Sequence, residues 1–171
     1  MPTFTLRPAT LEDNEVLLDI AERMVDNGIP PWRDREQALD WHRNEALNIL
    51  EMIHPGGQVI VAESPEGILG FISFYAEDDF MTGEEQGYVA DLAVTREAEG
   101  QGVGSALLAA AEDWCRECGF RILALDVFAM NTAAREFYQR RGFQEQTIKM
   151  VKVLREGSWD GNSERDDSLP F

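Results

Sequence analysis

The feature that most limits how this chain can fold lies near its middle. Tyr88 to Val94 is a β-rich run, Val103 to Cys118 carries apolar residues at helical spacing, and between them stands Glu99-Gly100-Gln101-Gly102-Val103-Gly104-Ser105. A strand that turns through glycines directly into a helix gathers backbone N–H groups at the helix start, where the first turn leaves them without intrahelical partners. Such a unit packs tightly, and it can also cradle an anion, because the helix N-terminus carries a partial positive charge. The absence of Gly-Lys-Ser/Thr excludes a P-loop, and Gly-x-Gly-x-Gly is not the dinucleotide fingerprint. The loop also follows three expected strands besides the one that leads into it, which differs from the layout of a dinucleotide-binding half.

The elements around this loop read as follows. Phe4 and Leu6 before Pro8 suggest a short first strand, and Thr10 with Asp13 resembles a capping box. Val16, Leu17, Ile20 and Met24 keep helical spacing up to Asn27-Gly28. Ala38, Trp41, Ala46, Ile49 and Leu50 mark a second helix after Pro30-Pro31. Gln58 to Ala62 and Ile68 to Tyr75 form a hairpin around Ser64-Pro65-Glu66-Gly67. After the third helix, Ile122 to Phe128 reads as a buried strand and Asn131 to Arg141 as a short helix closed by Gly142. Phe143 to Leu154 is expected to be a final strand or pair: one long strand, a tight hairpin, or a strand exchanged within a dimer. The pattern describes a single α/β (α+β) domain over residues 1–155, followed by a polar tail at 156–171.

Charge narrows the function. With 15 Lys+Arg against 32 Asp+Glu, the formal net charge is −17. General nucleic-acid binding draws on Lys/Arg neutralisation of phosphates and is therefore disfavoured. No apolar run is long enough to span a bilayer, no signal-peptide layout opens the chain, and two cysteines make no disulfide framework; a cytoplasmic protein is expected. The charge is uneven, at −7 for residues 77–99 and +4 for residues 131–155. An anionic ligand would find its counter-charge in the second segment.

Two motifs make the resemblance specific. Glu99-x-x-Gly102-x-Gly104 follows Asp91-Leu92-Ala93-Val94, and Asn131 precedes Phe137-Tyr138-Gln139-Arg140-Arg141-Gly142-Phe143. With the opening Leu6-Arg7-Pro8-Ala9-Thr10, the sequence resembles the GNAT superfamily of N-acetyltransferases from about residue 4 to 154. The resemblance implies a mixed, largely antiparallel sheet flanked by helices. It implies acetyl-CoA as co-substrate, with no metal, and a small-molecule or peptidyl amine as acceptor. Backbone N–H groups of Gln101, Gly102, Val103, Gly104 and Ser105 would bind the pyrophosphate, and main-chain atoms of Leu92 and Val94 would pair with pantetheine. Asn131 would contact pantetheine or serve only as a helix N-cap. Tyr138 would be the general acid for the departing thiolate, its alternative being a core aromatic beside Phe137.

Where the family usually has Gln or Arg, this chain has Glu99, whose carboxylate should repel a pyrophosphate unless it points away. Arg96, Arg135, Arg140 and Arg141 are the cations that could compensate. Asp91 leads as a proton relay, or it pairs with an arginine. Glu84 and Glu85 are alternatives if their loop folds over the site. His42 and His54 lie in the family's variable region, where a surface or capping role is expected. Cys115 and Cys118 are expected to be packing thiols, since CxxC inside a helix lacks both redox and zinc context. The resemblance places the acceptor along Gly28 to Leu50, where Trp32, Asp34, Asp40, Trp41 and Glu45, with Asp78, Asp79, Glu84 and Glu85, would suit a cationic amine. Within the same fold, the competing reading is a non-catalytic acyl-CoA-binding module.

Overall fold

Alternation along the central strands divides the core into two halves. On one face Ile60, Ala62, Ile72, Phe74 and Val89 pack with Val103, Leu107, Leu108 and Ala111; on the other Val59, Val61, Phe71 and Ala93 pack with Leu17, Ile20 and Ala21. Strands apolar on both faces must be covered on both. The structure, a computed structural model, describes residues 3–26, 29–50 and 56–154. The expected helix stop at Asn27-Gly28, His54, the Glu45 side chain and the tail from residue 156 lie outside the described residues.

The sheet runs β1 (Thr5–Pro8), β2 (Gln58–Ser64), β3 (Gly67–Asp78), β4 (Glu85–Val94) and β5 (Leu123–Leu125) in chain order. It is antiparallel at every junction except the last, where β4 and β5 run parallel. Helices α1 (Asn14–Ala21) and α2 (Arg35–Leu50) cover one face, and α3 (Val103–Cys118) and α4 (Thr132–Gln139) the other. This is a single domain of mixed, mostly antiparallel architecture. Among the described residues no helix is long and apolar enough to cross a membrane.

The first helix begins much as the capping box predicts. Asp13 accepts the Thr10 N–H at 2.8 Å, and Arg7 reaches from β1 to Asp13 at 2.8 Å and to Glu63 of β2 at 2.9 Å. The Arg7 guanidinium, with burial opposing it and the Thr10 N–H assisting, holds the Asp13 carboxyl down at about 2. The helix is shorter than expected: α1 stops at Ala21 and continues as a 3-10 turn over Glu22–Val25.

Three expectations are corrected. In α2 the inward stripe is Leu39 and His42, while Trp41 is 53% exposed. At the start of α2 the inward face thus lies one residue, about 100° of helix, from Ala38 and Trp41, whereas Leu50 packs against the core as expected, and the side chains of Ala46 and Ile49 lie outside the described residues. The strand expected over Ile122 to Phe128 is three residues long and only half-buried, with Ile122, Val127 and Phe128 exposed. Residues 143–154 form no strand within the single chain, where β5, three residues long, is the edge of the sheet. Ile148, Met150, Val151, Val153 and Leu154 are left exposed there. On α3 the inward thiol is Cys115 and the outward one Cys118, both free; burial pushes Cys115 up to about 11, as befits a packing thiol.

Candidate active site

One extra residue in β4 creates the site. Ser73 faces Asp91 across the β3–β4 ladder, but the next residue, Phe74, faces Val89, so Ala90 is a bulge. Without it, Asp91 would share the face of Val89, toward α3. With it, Asp91 turns to the α1–α2 face, where it is 1% exposed. Its Oδ2 accepts from Ser73 Oγ at 2.9 Å and its Oδ1 lies 2.8 Å from His42 Nδ1 on α2. The expected pairing with an arginine does not occur.

The bulge also reverses which backbone groups reach the β5 side. Gly87 donates its N–H to Ile122 O at 3.0 Å on that side, whereas Thr95 donates to Leu69 O at 2.8 Å on the β3 side. By the two-residue alternation of a strand, the N–H and C=O of Leu92 and Val94 therefore point away from β3. There β5 has already departed, since its pairing ends at Val89 with Leu125. Beyond that point the gap between the strands bares a polar main-chain edge that an extended amide-bearing chain can join.

At the end of this edge the glycine loop enters α3. Gly100 and Gly102 have φ of 72° and 86°, the left-handed region that favours glycine, and Gly102 caps the helix. The first helical bond is Ala106 N–H to Gly102 O at 3.0 Å. The N–H groups of Val103, Gly104 and Ser105 are thus left without intrahelical acceptors. Gln101 is a correction: its N–H is donated to Ala98 O at 3.3 Å, so it does not belong to the array. Glu99 turns away from the loop and pairs with Arg23, which also holds Asp26 at 2.6 Å. The feared repulsion is met by a cation from the turn after α1.

From α4 come the remaining groups. Asn131 accepts the Ala134 N–H at 3.2 Å, so its side-chain oxygen serves as the N-cap. Phe137 lies against Gly104, and Arg141 lies 4.2 Å over the Phe137 ring while hydrogen-bonding Ser105 Oγ. Arg96, Arg135 and Arg140 pair with Asp26, Glu145 and Glu136. Among the described residues Arg141 has no carboxylate partner. A cation beside the positive end of α3 is unfavourable until an anion arrives to face both. Tyr138 is half-buried against Phe137 and Phe143. Burial, and secondarily the charge on Asp91, push its hydroxyl up to about 12. The phenol keeps its proton at neutral pH and lies within electrostatic reach of Asp91.

The chain matches the Acetyltransferase (GNAT) family over residues 17–143. It belongs to the GNAT acetyltransferase family. It is 27% identical over 154 residues to the aminoalkylphosphonate N-acetyltransferase of Salmonella typhimurium, covering 90% of this chain and 94% of that one. It is 33% identical over 87 residues to the uncharacterized N-acetyltransferase YycN of Bacillus subtilis, covering 51% of this chain and 54% of that one. The chain therefore spans about half the length of that Bacillus relative. Among solved structures, the aminoglycoside N-acetyltransferase AAC(6')-Iy in complex with CoA superposes with a TM-score of 0.68 at 19% identity, over 91% of this chain and 97% of that one. That likeness is one of fold.

In this GNAT protein the acceptor side departs from the expected layout. Asp34 accepts the Gln37 N–H at 3.0 Å at the start of α2. Asp79 is consumed by its own loop, accepting from Met81 N–H at 3.0 Å and Thr82 N–H at 2.8 Å, which holds its carboxyl below the ordinary range. Glu84 faces Arg121 at 3.6 Å. The loop containing them joins the far end of β4, about 20 Å from Asp91 at 3.3 Å per residue. Trp32 and Trp41 remain exposed at 48% and 53%. His42, expected at the surface or in a capping role, is instead buried against Asp91, because a histidine beside a tryptophan on a helix gives no sequence sign of which one turns inward. An available signal was the ionisable Asp91 in an apolar strand, which demands a buried polar partner. Among the described residues no group of three or more His, Cys, Asp or Glu is placed to hold a metal.

Proposed function

We propose that residues 1–155 form an N-acetyltransferase that moves an acetyl group from acetyl-CoA to a primary amine, small and cationic or peptidyl, by direct attack within a ternary complex. The observation that carries this reading is that the Tyr138 phenol, packed on the α3 face, feels the charge on Asp91, which the bulge turns to the α1–α2 face of β4. The residues fit the co-substrate. Val103, Gly104 and Ser105 N–H groups with Arg141 suit its pyrophosphate, the open edge at Leu92 and Val94 suits pantetheine, and Gly102 shapes the turn between them. Asn131, its Oδ1 engaged by the Ala134 N–H, has its amide N–H2 to offer.

Acetyl-CoA supplies an activated thioester, so that a C–N bond forms as the C–S bond breaks and CoA departs with the electron pair. The chain's residues manage the protons. Tyr138 donates its phenolic proton to the departing sulfur, and is suited to this because it stays protonated until needed. Asp91 provides the negative charge at the end where the ammonium loses its proton. The competing binding-module reading drew on Glu99, whose charge is neutralised by Arg23.

The test is release of free thiol from acetyl-CoA with a panel of amines, comparing wild type with Tyr138→Phe. The proposal expects turnover with at least one amine, falling about 100-fold in the variant at unchanged CoA affinity. Tight CoA binding without turnover on any amine establishes the binding module instead. A cytoplasmic homodimer completes the proposal: the free thiols suit a reducing compartment, and the exposed apolar residues of 148–154 suit a second copy. Light scattering on the purified chain decides between dimer and monomer.

A further inference from the structure

The proton-accepting end of the site contains a device that neither motif encodes. Asp91 is 1% exposed and both of its oxygens are engaged, Oδ2 by Ser73 Oγ at 2.9 Å and Oδ1 by His42 Nδ1 at 2.8 Å. We propose that His42 is the catalytic base: its Nε2 takes the proton from the incoming ammonium, with Asp91 and Ser73 as positioning residues. This rests on the acetyl-transfer reading above and names the group that performs its first proton step.

Four observations carry the assignment. A carboxylate accepts and cannot donate, so with Ser73 donating to one oxygen the short contact at the other makes Nδ1 the protonated nitrogen. Nε2 is then the ring's basic atom. Second, Asp91 has no exposed face, and a substrate N–H reaches it only by displacing one of its two donors, whereas His42 keeps a 9% exposed margin. Third, the bulge at Ala90 turns Asp91 and the imidazole in contact with it onto the α1–α2 face, while Tyr138, whose phenol feels the charge on Asp91, packs on the α3 face. A base on one side and an acid on the other is the arrangement that amine attack and thiolate departure require. Fourth, the ionised groups around α2 are otherwise spoken for. Glu22 is held by Arg43 at 2.9 Å, Arg23 by Asp26 and Glu99, and Glu63 by Arg7, while Glu15 and Asp19 on α1 face solvent. On β3 and β4, Glu77 accepts from Gln86, and Asp78 and Glu85 are exposed. Tyr75 and Tyr88 pack ring to ring on those strands. Asp91 is thus the carboxylate in contact with the imidazole.

The step balances simply. The ammonium N–H bond breaks, its electron pair stays on nitrogen as the nucleophilic lone pair, and the proton passes to Nε2. The resulting imidazolium is stabilised by the Asp91 carboxylate and returns the proton to solvent after the acetyl group has moved; the second proton, lost from nitrogen once the C–N bond has formed, restores the one Tyr138 gives to the sulfur.

The experiment measures kcat/KM against pH with acetyl-CoA and the best amine of the panel, for wild type, His42→Gln, Asp91→Asn and Ser73→Ala, alongside CoA affinity by calorimetry. The proposal expects an ascending limb in wild type in the range where histidine titrates. His42→Gln abolishes that limb and lowers kcat about 100-fold with CoA affinity within twofold. Asp91→Asn shifts the limb to lower pH, because an amide does not stabilise the imidazolium, and Ser73→Ala lowers kcat about fivefold while keeping the limb. A His42→Gln enzyme that keeps both its limb and its kcat overturns the proposal while leaving acetyl transfer intact; absence of wild-type turnover on every amine overturns both. Nitrogen NMR of the wild-type imidazole provides a reading that needs no stable variant at position 42, with His54→Gln assigning the signals of the two histidines. The Nδ1–H tautomer in the neutral ring supports the proposal, and the Nε2–H tautomer overturns it.

Discussion

Replacing Gly87 with alanine tests how packing behind β4 holds the site in place. Gly87 pairs with Leu123 at the root of the β4–β5 gap, and a Cβ there would lie 2.2 Å from Cys115 Sγ, with Leu123 Cδ1 and Trp114 Cζ3 each at 3.1 Å. An ordinary carbon–sulfur contact is well over 3 Å, so α3 and β4 must separate by more than an ångström or Cys115 must leave its rotamer. Overpacking of this kind costs about 2 to 3 kcal/mol. Cys115→Ala alone removes one buried sulfur and costs about 1 kcal/mol. In the double variant the gravest overlap is gone, and the two 3.1 Å contacts fall on a leucine tip and an indole edge. The double variant should therefore be no less stable than Gly87→Ala, with a favourable coupling energy of at least about 1 kcal/mol. Urea unfolding of the four proteins gives that coupling directly. Because the same displacement widens the gap at Val89 and Leu125, Gly87→Ala should also raise the KM for acetyl-CoA, and the second substitution should restore it. Additive free energies within about 0.5 kcal/mol, or a Gly87→Ala protein as stable as wild type, would refute the packing argument.

Arg141→Gln should weaken CoA about tenfold and flatten the salt dependence of binding, which calorimetry at two ionic strengths checks; unchanged affinity removes Arg141 from the anion site. Glu99→Gln should leave CoA affinity within about threefold, since Arg23 already neutralises the carboxylate, whereas Arg23→Ala should weaken it more by freeing that charge. The Asp13 carboxyl is held at about 2, below its unfolded value of 3.8, so its contribution is complete above pH 4 and is lost as pH falls toward 2. Allowing for solvent screening, that contribution is about 1 to 2 kcal/mol. Asp13→Asn should accordingly be less stable than wild type at pH 7, and the difference in urea midpoint should narrow between pH 4 and pH 2.

Local signals were legible where the chain itself supplies both partners of an interaction. Thr10 and Asp13 are three residues apart, Ser64 and Gly67 close their own turn, and Gly100 and Gly102 mark left-handed backbone. The family could be recognised for the same reason, because its two motifs are short contiguous stretches. The order of the first five strands and the four helices followed from periodicity and punctuation. Residues 143–154 defeated that reasoning, since β-rich alternation states a preference that only a neighbouring edge can satisfy.

What the sequence by itself determined is the strand–glycine–helix unit, the acyltransferase motifs and the separation of the acidic and basic segments. Only the tertiary structure decided which side chains those segments present to one another. The Ala90 bulge is one residue of register, yet it moves Asp91 to the other face of the sheet and bares the main chain of Leu92 and Val94. It then takes the phase of α2, 49 residues away in the chain, to bring His42 to Asp91, and the turn after α1 to bring Arg23 to Glu99. Register and helix phase are set by the sum of many packing contacts, each too weak to show in its own residues.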